Sequence, residues 1–428
     1  MKTGDQRLTK FVALGALIAV GVIFYSSYGG ANWLAGQRDS VPEIAFAWER
    51  SIPFWPWTIV PYWTLNLFYA AAFFLCRTKK ALWRYVQQLL LAQTIAVLCF
   101  ILWPLQFSWS KPASDGLSAW LFQALGAFDQ PYNQAPSLHI MLSIIVGYFY
   151  WLRFPAWRTA IVGWFSLIAV SVLTTWQHHF IDIPTGVLAA AVVLWLLPTN
   201  QPSPVCRMAK RLHPRCSLAY ALLTAVAVLL MFFAGSWLWT GWIAAACVFL
   251  VLAYAGLGAQ AFQKQSNGRH SMPVTLLLAP YYLACRANIA FWLRGKPRVV
   301  RVTDRVQLGS IVAAKHNQAM LDVCAEYPLW NTPTHYQSVP MLDLVSPKVE
   351  DLRRAADGLE DLLGTQSGPV LVACALGYGR SAAVVLTWLV RYGNADTLTE
   401  AKALLLAAQP HIVISETTQR AIEEAIND

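Results

Sequence analysis

Charge is what this sequence has least of. Of its 428 residues only 13% are charged, about half the share usual in soluble domains. Hydrophobic residues make up 57%, and the mean hydropathy is +0.45. A water-soluble globular class is thereby excluded, and lipid is the expected solvent. Cysteine is scarce where disulfides form: none of the eight falls in a loop assigned below to the outside. That excludes a disulfide framework and leaves Cys324 and Cys374 as thiols in a reducing compartment. Internal repeats and low-complexity tracts are also missing.

What is present is a series of long apolar runs. Candidate spans lie at Phe11–Gly29, Trp57–Cys76, Leu89–Phe107, Ser137–Leu152, Ala160–Trp176, Ile183–Leu197, Leu218–Gly235 and Leu238–Leu257. A spanning helix needs about 20 mostly apolar residues; the fourth and sixth runs are the shortest. Lys2, Arg7 and Lys10 before the first run resemble a signal peptide, but its length and lack of a small-residue cleavage site favour a retained anchor. With the N-terminus inside, thirteen Lys or Arg fall on inner segments against Arg38, Arg50 and Lys111 outside. This positive-inside bias accounts for the net charge of +10, so nucleic acid is not an expected partner. The predicted location is a bacterial inner membrane, with the N-terminus and C-terminal domain cytoplasmic.

After Leu257 the character changes. Gln260 to Arg305 carries eight cations, from Lys264 to Arg305, against Asp304. Met272–Leu293 within it is read as a helix on the inner leaflet, its cations near anionic headgroups, or else as a helix packed on the following domain. From Val306 the acids outnumber the bases, 14 to 8, and the pattern is alternating α and β. Helical periodicity covers Pro347–Leu363, GPVLVAC is a buried strand, and helices are expected at Ser381–Val390, Thr397–Leu406 and Glu416–Ile426. The predicted fold class is an eight-span helical membrane domain followed by an α/β domain with a central sheet flanked by helices. The divisions read are 1–54 (anchor and outer loop), 55–200 (membrane domain), 201–258 (two more spans), 259–297 (basic interfacial linker) and 298–428 (cytoplasmic domain).

In VLVACALGYGRSAAVV, Cys374 and Arg380 end a seven-residue loop between strand and helix. Gly377 and Gly379 let the backbone of Ala375, Leu376 and Tyr378 curl so that N–H groups face a tetrahedral oxyanion, aided by the helix N-terminus. Such a cup favours a Cys374 thiolate, and the Arg380 fork can clamp phosphate oxygens. A leaving alkoxide needs an acid, and Asp343 in SVPMLDLVSP stands 31 residues before the cysteine. Its bland reading is a helix N-cap or turn residue, and Cys324 reads as core. The CxxGxxRS run resembles the cysteine-based dual-specificity phosphatases, from about Arg298 onward. That resemblance implies Cys374 as nucleophile, Arg380 as phosphate clamp, Asp343 as acid, and Ser381 as the hydroxyl assisting breakdown of a phosphocysteine. Ala373 departs from the family's usual histidine, which leaves a phosphate-binding sensor open as an alternative.

At the outer ends of the spans, APSLH carries Ser137 and His139, and TTWQHHFIDIPTG carries His178 and Asp182. Ionisable residues at membrane boundaries are costly and usually have a task. If the segment is helical, His178 and Asp182 share a face, so the carboxylate can orient the imidazole and His139 can protonate a leaving oxygen. These runs resemble the type-2 phosphatidic acid phosphatase superfamily, in particular its inositol phosphorylceramide synthase-like branch, over about residues 55–200. The resemblance implies His139 as acid, His178 as nucleophile, Asp182 as its partner and Ser137 as a phosphate contact. The upstream KxxxxxxRP element and the Ser-Arg pair are missing, and Lys111 lies on the correct face in another motif. His179 lacks the spacing to Asp182.

The expected activity is that of a phosphoric monoester hydrolase acting on phosphorylated lipid or phosphoprotein, with membrane lipids as partners. The two sites lie on opposite sides of the membrane and need neither metal nor other cofactor. A lipid headgroup transferase with a regulatory C-terminal domain is the alternative. Oligomeric state leaves no trace in the sequence.

Overall fold

The computed structural model describes residues 8–207, 211–233, 239–316 and 318–427. Lys2, Arg7, Lys210, Gly235 and Leu238, on which expectations above partly rest, lie outside them. The chain divides into two compact units, residues 1–203 and 204–428.

The first unit is helical: α1 (Lys10–Gly36), α2 (Ile59–Leu75), α3 (Lys79–Leu102), α4 (Gly116–Gly126), α5 (Leu138–Arg153), α6 (Arg158–Thr174) and α7 (Asp182–Leu196). The third apolar run, expected at Leu89–Phe107, begins ten residues earlier. Thr78 caps it by accepting from the Ala81 N–H, and the helix stops before Pro104. The short helix α4 had no counterpart among the expected elements. Only 11% of the apolar window of α1 is buried, which leaves most of that apolar surface exposed. Ile59, Tyr62, Leu125, Ile140 and Val172 form a core where α2, α4, α5 and α6 meet. α5 and α7 approach closely at Gly186, where an added Cβ would stand 2.9 Å from Ile140 Cβ and from the Ser137 carbonyl oxygen.

The second unit opens with α8 (Pro214–Phe233) and α9 (Thr240–Leu252). The last apolar run does not stay α-helical to Leu257: Ala253–Leu257 is a π turn with Gly256 at φ 134°. Among the described residues six helices are long and apolar enough to cross a membrane; α5 and α7 are shorter apolar helices. The linker helix expected over Met272–Leu293 is two, α10 (Met272–Leu277) and α11 (Ala279–Trp292), because Pro280 has no N–H to continue the first. α11 uses two faces. Ile289 and Leu293 pack on Ala375, Leu376 and Tyr378, whereas Leu283 and Phe291 are each 72% exposed. Lys264 departs from the expected basic collar. It is buried 2.6 Å from Asp322 Oδ2 and also donates to the carbonyls of Cys324 and Tyr327, so its charge is spent inside the protein.

The sheet follows, with β1 (Val299–Arg301), β2 (Val306–Ser310), β3 (Ala319–Cys324), β4 (His335–Met341) and β5 (Val370–Cys374) in the order β1-β2-β5-β3-β4. Only the β1–β2 pair is antiparallel. β3 and β5 are buried at every position, as central strands covered on both faces must be. The flanking helices are α12 (Val349–Thr365), α13 (Arg380–Arg391), α14 (Leu398–Ala408) and α15 (Glu416–Ile426). α12 buries Leu352, Ala355, Ala356, Leu359, Leu362 and Leu363, an apolar stripe at helical spacing. β5 ends on Cys374 and α13 starts on Arg380, so the loop between them lies at the carboxyl edge of the sheet.

Candidate active sites

In the second unit the loop wraps around a sulfur. Gly377 adopts φ 87°, which suits glycine, and a Cβ there would fall 2.7–2.9 Å from the backbone of Gly309 on β2. That conformation aims the Gly377 N–H at Cys374 Sγ, 3.3 Å away. Ser381, in the first turn of α13, donates its hydroxyl to the same sulfur at 3.2 Å. Gly379 was expected to need the same freedom. It caps α13 at φ −114°, and a Cβ there would meet only an ordinary contact, the Val413 carbonyl oxygen at 3.7 Å. Ala375, Leu376 and Tyr378 pack on Ile289 and Leu293 of α11, and the Ser310 hydroxyl donates to the Ala375 carbonyl.

Arg380 is buried, and Glu326 holds it by two bonds, Nη1 to Oε2 at 2.6 Å and Nη2 to Oε1 at 2.5 Å. Nη1 also donates to the Met341 carbonyl at 2.9 Å. Both Nη atoms are thus engaged, Nη2 also with Asp343, and among the described residues the Nε–H is left for an oxyanion. Burial pushes the Glu326 carboxyl up, but the Arg380 charge and hydrogen bonds outweigh it and hold the group below its ordinary value. Glu326 was not foreseen from the sequence. It follows β3 in AEYP, 54 residues from its partner, and carries no local signature.

Asp343 lies 3.0 Å from Arg380 Nη2, with its side chain 45% exposed. Lys348 caps α12, so the helix-cap reading of Asp343 fails. Burial of the carboxyl, with Glu326 beside it, raises its pKa against the pull of Arg380. The Asp343 carbonyl accepts from the Tyr254 hydroxyl at 3.0 Å, and Tyr220 of α8 stacks on Tyr254 at 5.6 Å. Cys285 of α11 also lies within electrostatic reach of Glu326, Asp343 and Arg380. Burial pushes its thiol up to about 12 and also raises that of Cys324, so both stay protonated.

In the first unit His178 and Asp182 meet, though not on a helical face. His178 lies in the turn before α7 and Asp182 is the first residue of that helix. His178 Nδ1 stands 3.0 Å from Asp182 Oδ2, and Nε2 stands 3.1 Å from the Ser137 hydroxyl. The carboxylate accepts from Nδ1, and Nε2 faces the Ser137 hydroxyl. Ser137 also caps α5 by accepting from the Ile140 N–H. His139, two residues on, stacks on Tyr62 at 3.8 Å, and its Nε2 has no hydrogen-bond partner.

His179 belongs to a different pair. Its Nδ1 lies 3.0 Å from Glu49 Oε2, and its Nε2 accepts from the Ser108 N–H at 3.1 Å. Both nitrogens are committed to partners outside the His178–Asp182 pair. A cavity of about 410 Å³ opens beside it, lined by Lys111, Asp129, Ser108, Gln134 and His178 among others. Lys111 thus shares a chamber with the histidine without the expected motif. Asp129 takes the Tyr28 hydroxyl at 2.6 Å, and burial raises its carboxyl above the ordinary range. No signal in the sequence singled out Glu49 or Asp129. Among the described residues no cluster of three or more His, Cys, Asp or Glu is arranged to hold a metal ion.

Residues 57–196 match the PAP2 superfamily, and residues 304–427 match the dual specificity phosphatase catalytic domain. Together they support a phosphoric monoester hydrolase. No curated protein matches the chain. Among solved structures, it is similar to Tk-PTP in its active form, at 21% identity over 31% of this chain and 97% of that one, with a TM-score of 0.28. A mouse putative dual specificity phosphatase complexed with zinc tungstate matches at 21% identity over 31% and 87%, with a TM-score of 0.28. PTPMT1 in complex with PI(5)P matches at 17% over 31% and 96%, with a TM-score of 0.27.

Proposed function

We propose that this chain, whose two matched domains are both of phosphatase type, hydrolyses the phosphate monoesters of membrane lipids through a phosphocysteine formed on Cys374. The observation that carries the reading is the loop itself: a sulfur receiving the Gly377 N–H and the Ser381 hydroxyl, beside a buried guanidinium aimed by Glu326. The Cys374 thiolate attacks phosphorus while Arg380 and the loop amides take the charge on the equatorial oxygens. The P–O bond to the leaving group breaks, and the protonated Asp343 carboxyl gives its proton to the departing alkoxide. Asp343, now a carboxylate, takes a proton from the incoming water. The P–S bond then breaks, and Ser381 stabilises the thiolate that leaves.

The lipid assignment rests on what surrounds the mouth. Tyr220 lies on the apolar helix α8 and Tyr254 in the π turn that follows α9, and α11 packs on the loop while exposing Leu283 and Phe291. A headgroup arriving from a leaflet fits those walls better than a peptide does. A lipid-phosphate panel in vesicles, assayed with Cys374→Ser, tests the reading. Full activity in that variant, or a strong preference of the wild type for phosphotyrosine peptides, ends it.

His178 is assigned as nucleophile of a second, histidine-dependent site, with Asp182 orienting it, His139 as acid, and Ser137 and Lys111 contacting phosphate. Transfer to a lipid alcohol competes there with hydrolysis, and the cavity of about 410 Å³ beside His178 is the place for substrate and acceptor. Supplying a diacylglycerol acceptor should change the products, and unchanged products leave hydrolysis alone.

A further inference from the structure

We propose a second anion site, beside the loop that bears Asp343, which takes the phosphate of an anionic lipid headgroup and steadies the acid. The inference rests on the role given to Asp343 above. A cavity of about 520 Å³ lies between the residues leading into α8, the segment Leu344–Pro347 and α15. Its lining brings Arg211, His213 and Arg420 together against one carboxylate, Glu424. Among the described residues neither arginine is held by a hydrogen bond or an ion pair. Two uncommitted arginines lining one space repel each other, and a shared phosphate removes that repulsion.

The neighbours add to this field. Lys348 and Arg211 are close enough to His213 to act with burial in holding its imidazole below the ordinary value. The ring is therefore neutral at pH 7 and offers an N–H beside the cations. Val349, the first residue of α12, lines the same space, and His213 directly precedes α8. Backbone amides at both helix starts favour negative charge.

The source of the phosphate follows from Arg211. It sits three residues before an apolar helix with only 6% of its window buried, which is the level of lipid headgroups. The consequence follows from Leu344. This residue is 73% exposed and held at φ 60°, an uncommon conformation for a leucine, one position after the acid. An anion seated against Leu344–Pro347 supports that turn and fixes Asp343.

The test uses the full chain in nanodiscs of phosphatidylcholine, with and without phosphatidylglycerol, and p-nitrophenyl phosphate as a soluble substrate. Phosphatidylglycerol should raise kcat/KM by about threefold, a modest shift of a two-state loop. In R211Q/R420Q that ratio should fall to about one. Soluble glycerophosphoglycerol added to phosphatidylcholine discs separates the sources: stimulation by it alone keeps the anion site but overturns the lipid as its occupant. An undiminished ratio in R211Q/R420Q, or no response of the wild type to either probe, overturns the site. Native mass spectrometry of the Cys374→Ser chain gives a readout without turnover. The R211Q/R420Q change in that background should cost one retained phosphatidylglycerol, and equal retention counts against the site. If the double variant does not fold, R420E alone carries the same expectations. A wild type with no Cys374-dependent turnover at all sinks the catalytic reading instead, and lipid retention still decides the site.

Discussion

The two candidate nucleophiles use carboxylates in opposite ways. His178 touches Asp182 directly, at 3.0 Å, because an imidazole that must attack benefits from a negative partner on its far nitrogen. A thiolate beside a carboxylate would be driven to take up a proton. In the second unit the carboxylates of Glu326 and Asp343 therefore sit one group removed, both on Arg380, while the sulfur sees only donors. A buried acid thus helps or harms a nucleophile according to the charge that nucleophile carries.

Removing either nucleophile should separate the two halves most sharply. Cys374→Ser should lower Cys374-dependent phosphate release by about 10⁴-fold or more, and His178→Ala should do the same to the membrane activity, because each removes a nucleophile outright. Each variant should leave the other activity intact, measured on the same lipid panel. A single variant that silences both would break the comparison.

Next comes the acid. Burial holds the Asp343 carboxyl above its ordinary range, so its protonated form persists further toward neutrality. Because that form donates, kcat/KM should fall as pH rises through its pKa. Asp343→Asn should lose that descending limb and about 10²–10⁴-fold in rate on an alkyl phosphate. The loss should shrink sharply with p-nitrophenyl phosphate, whose phenolate leaves without a proton. A uniform loss on both substrates would remove Asp343 from the acid role.

Glu326→Gln is expected to cost less activity, about 10- to 100-fold, since it loosens the guanidinium without removing it. Breaking one side of a buried pair should also cost about 3–5 kcal/mol of stability in a denaturant melt. The wild-type contribution has a definite pH window. With its folded pKa below the unfolded value, Glu326 stabilises fully above the unfolded pKa and loses that contribution as pH falls through the folded one. The variant should show a flatter acid limb than the wild type.

Legibility followed sequence distance. Cys374, Gly377, Arg380 and Ser381 lie within eight residues on a strand–loop–helix, so spacing alone carried their geometry. Spacing also points from His178 to Asp182, and the two meet at 3.0 Å, although through a turn rather than the helix expected. Glu326 and Glu49 went unseen because their partners lie 54 and 130 residues away, and nothing local marks an acid that will be buried. Helix ends drifted where apolar runs continue past a break, as at Pro104 and Gly256. The dual role of α11 was divided between two readings because hydropathy does not say which apolar face finds protein.

The smallest effect is at Gly186, and it bears on how tightly the membrane site is held. The residue contacts no catalytic atom. Its missing Cβ lets α7 approach the Ser137 carbonyl and Ile140 closely enough for the Ser137 hydroxyl to reach His178 Nε2. A methyl group 2.9 Å from that carbonyl must push α5 away by several tenths of an ångström. Neither partner is the tip of a flexible chain: one is backbone and the other the branched Cβ of a buried isoleucine. Gly186→Ala should therefore lower the His178-dependent rate by about tenfold, the order expected when a supporting contact loosens around an intact site. The Cys374-dependent rate should not change. Because Ser137 also caps α5, thermal unfolding separates the causes: a fall in rate with little change in midpoint assigns the effect to lost alignment, and a parallel fall in both assigns it to packing.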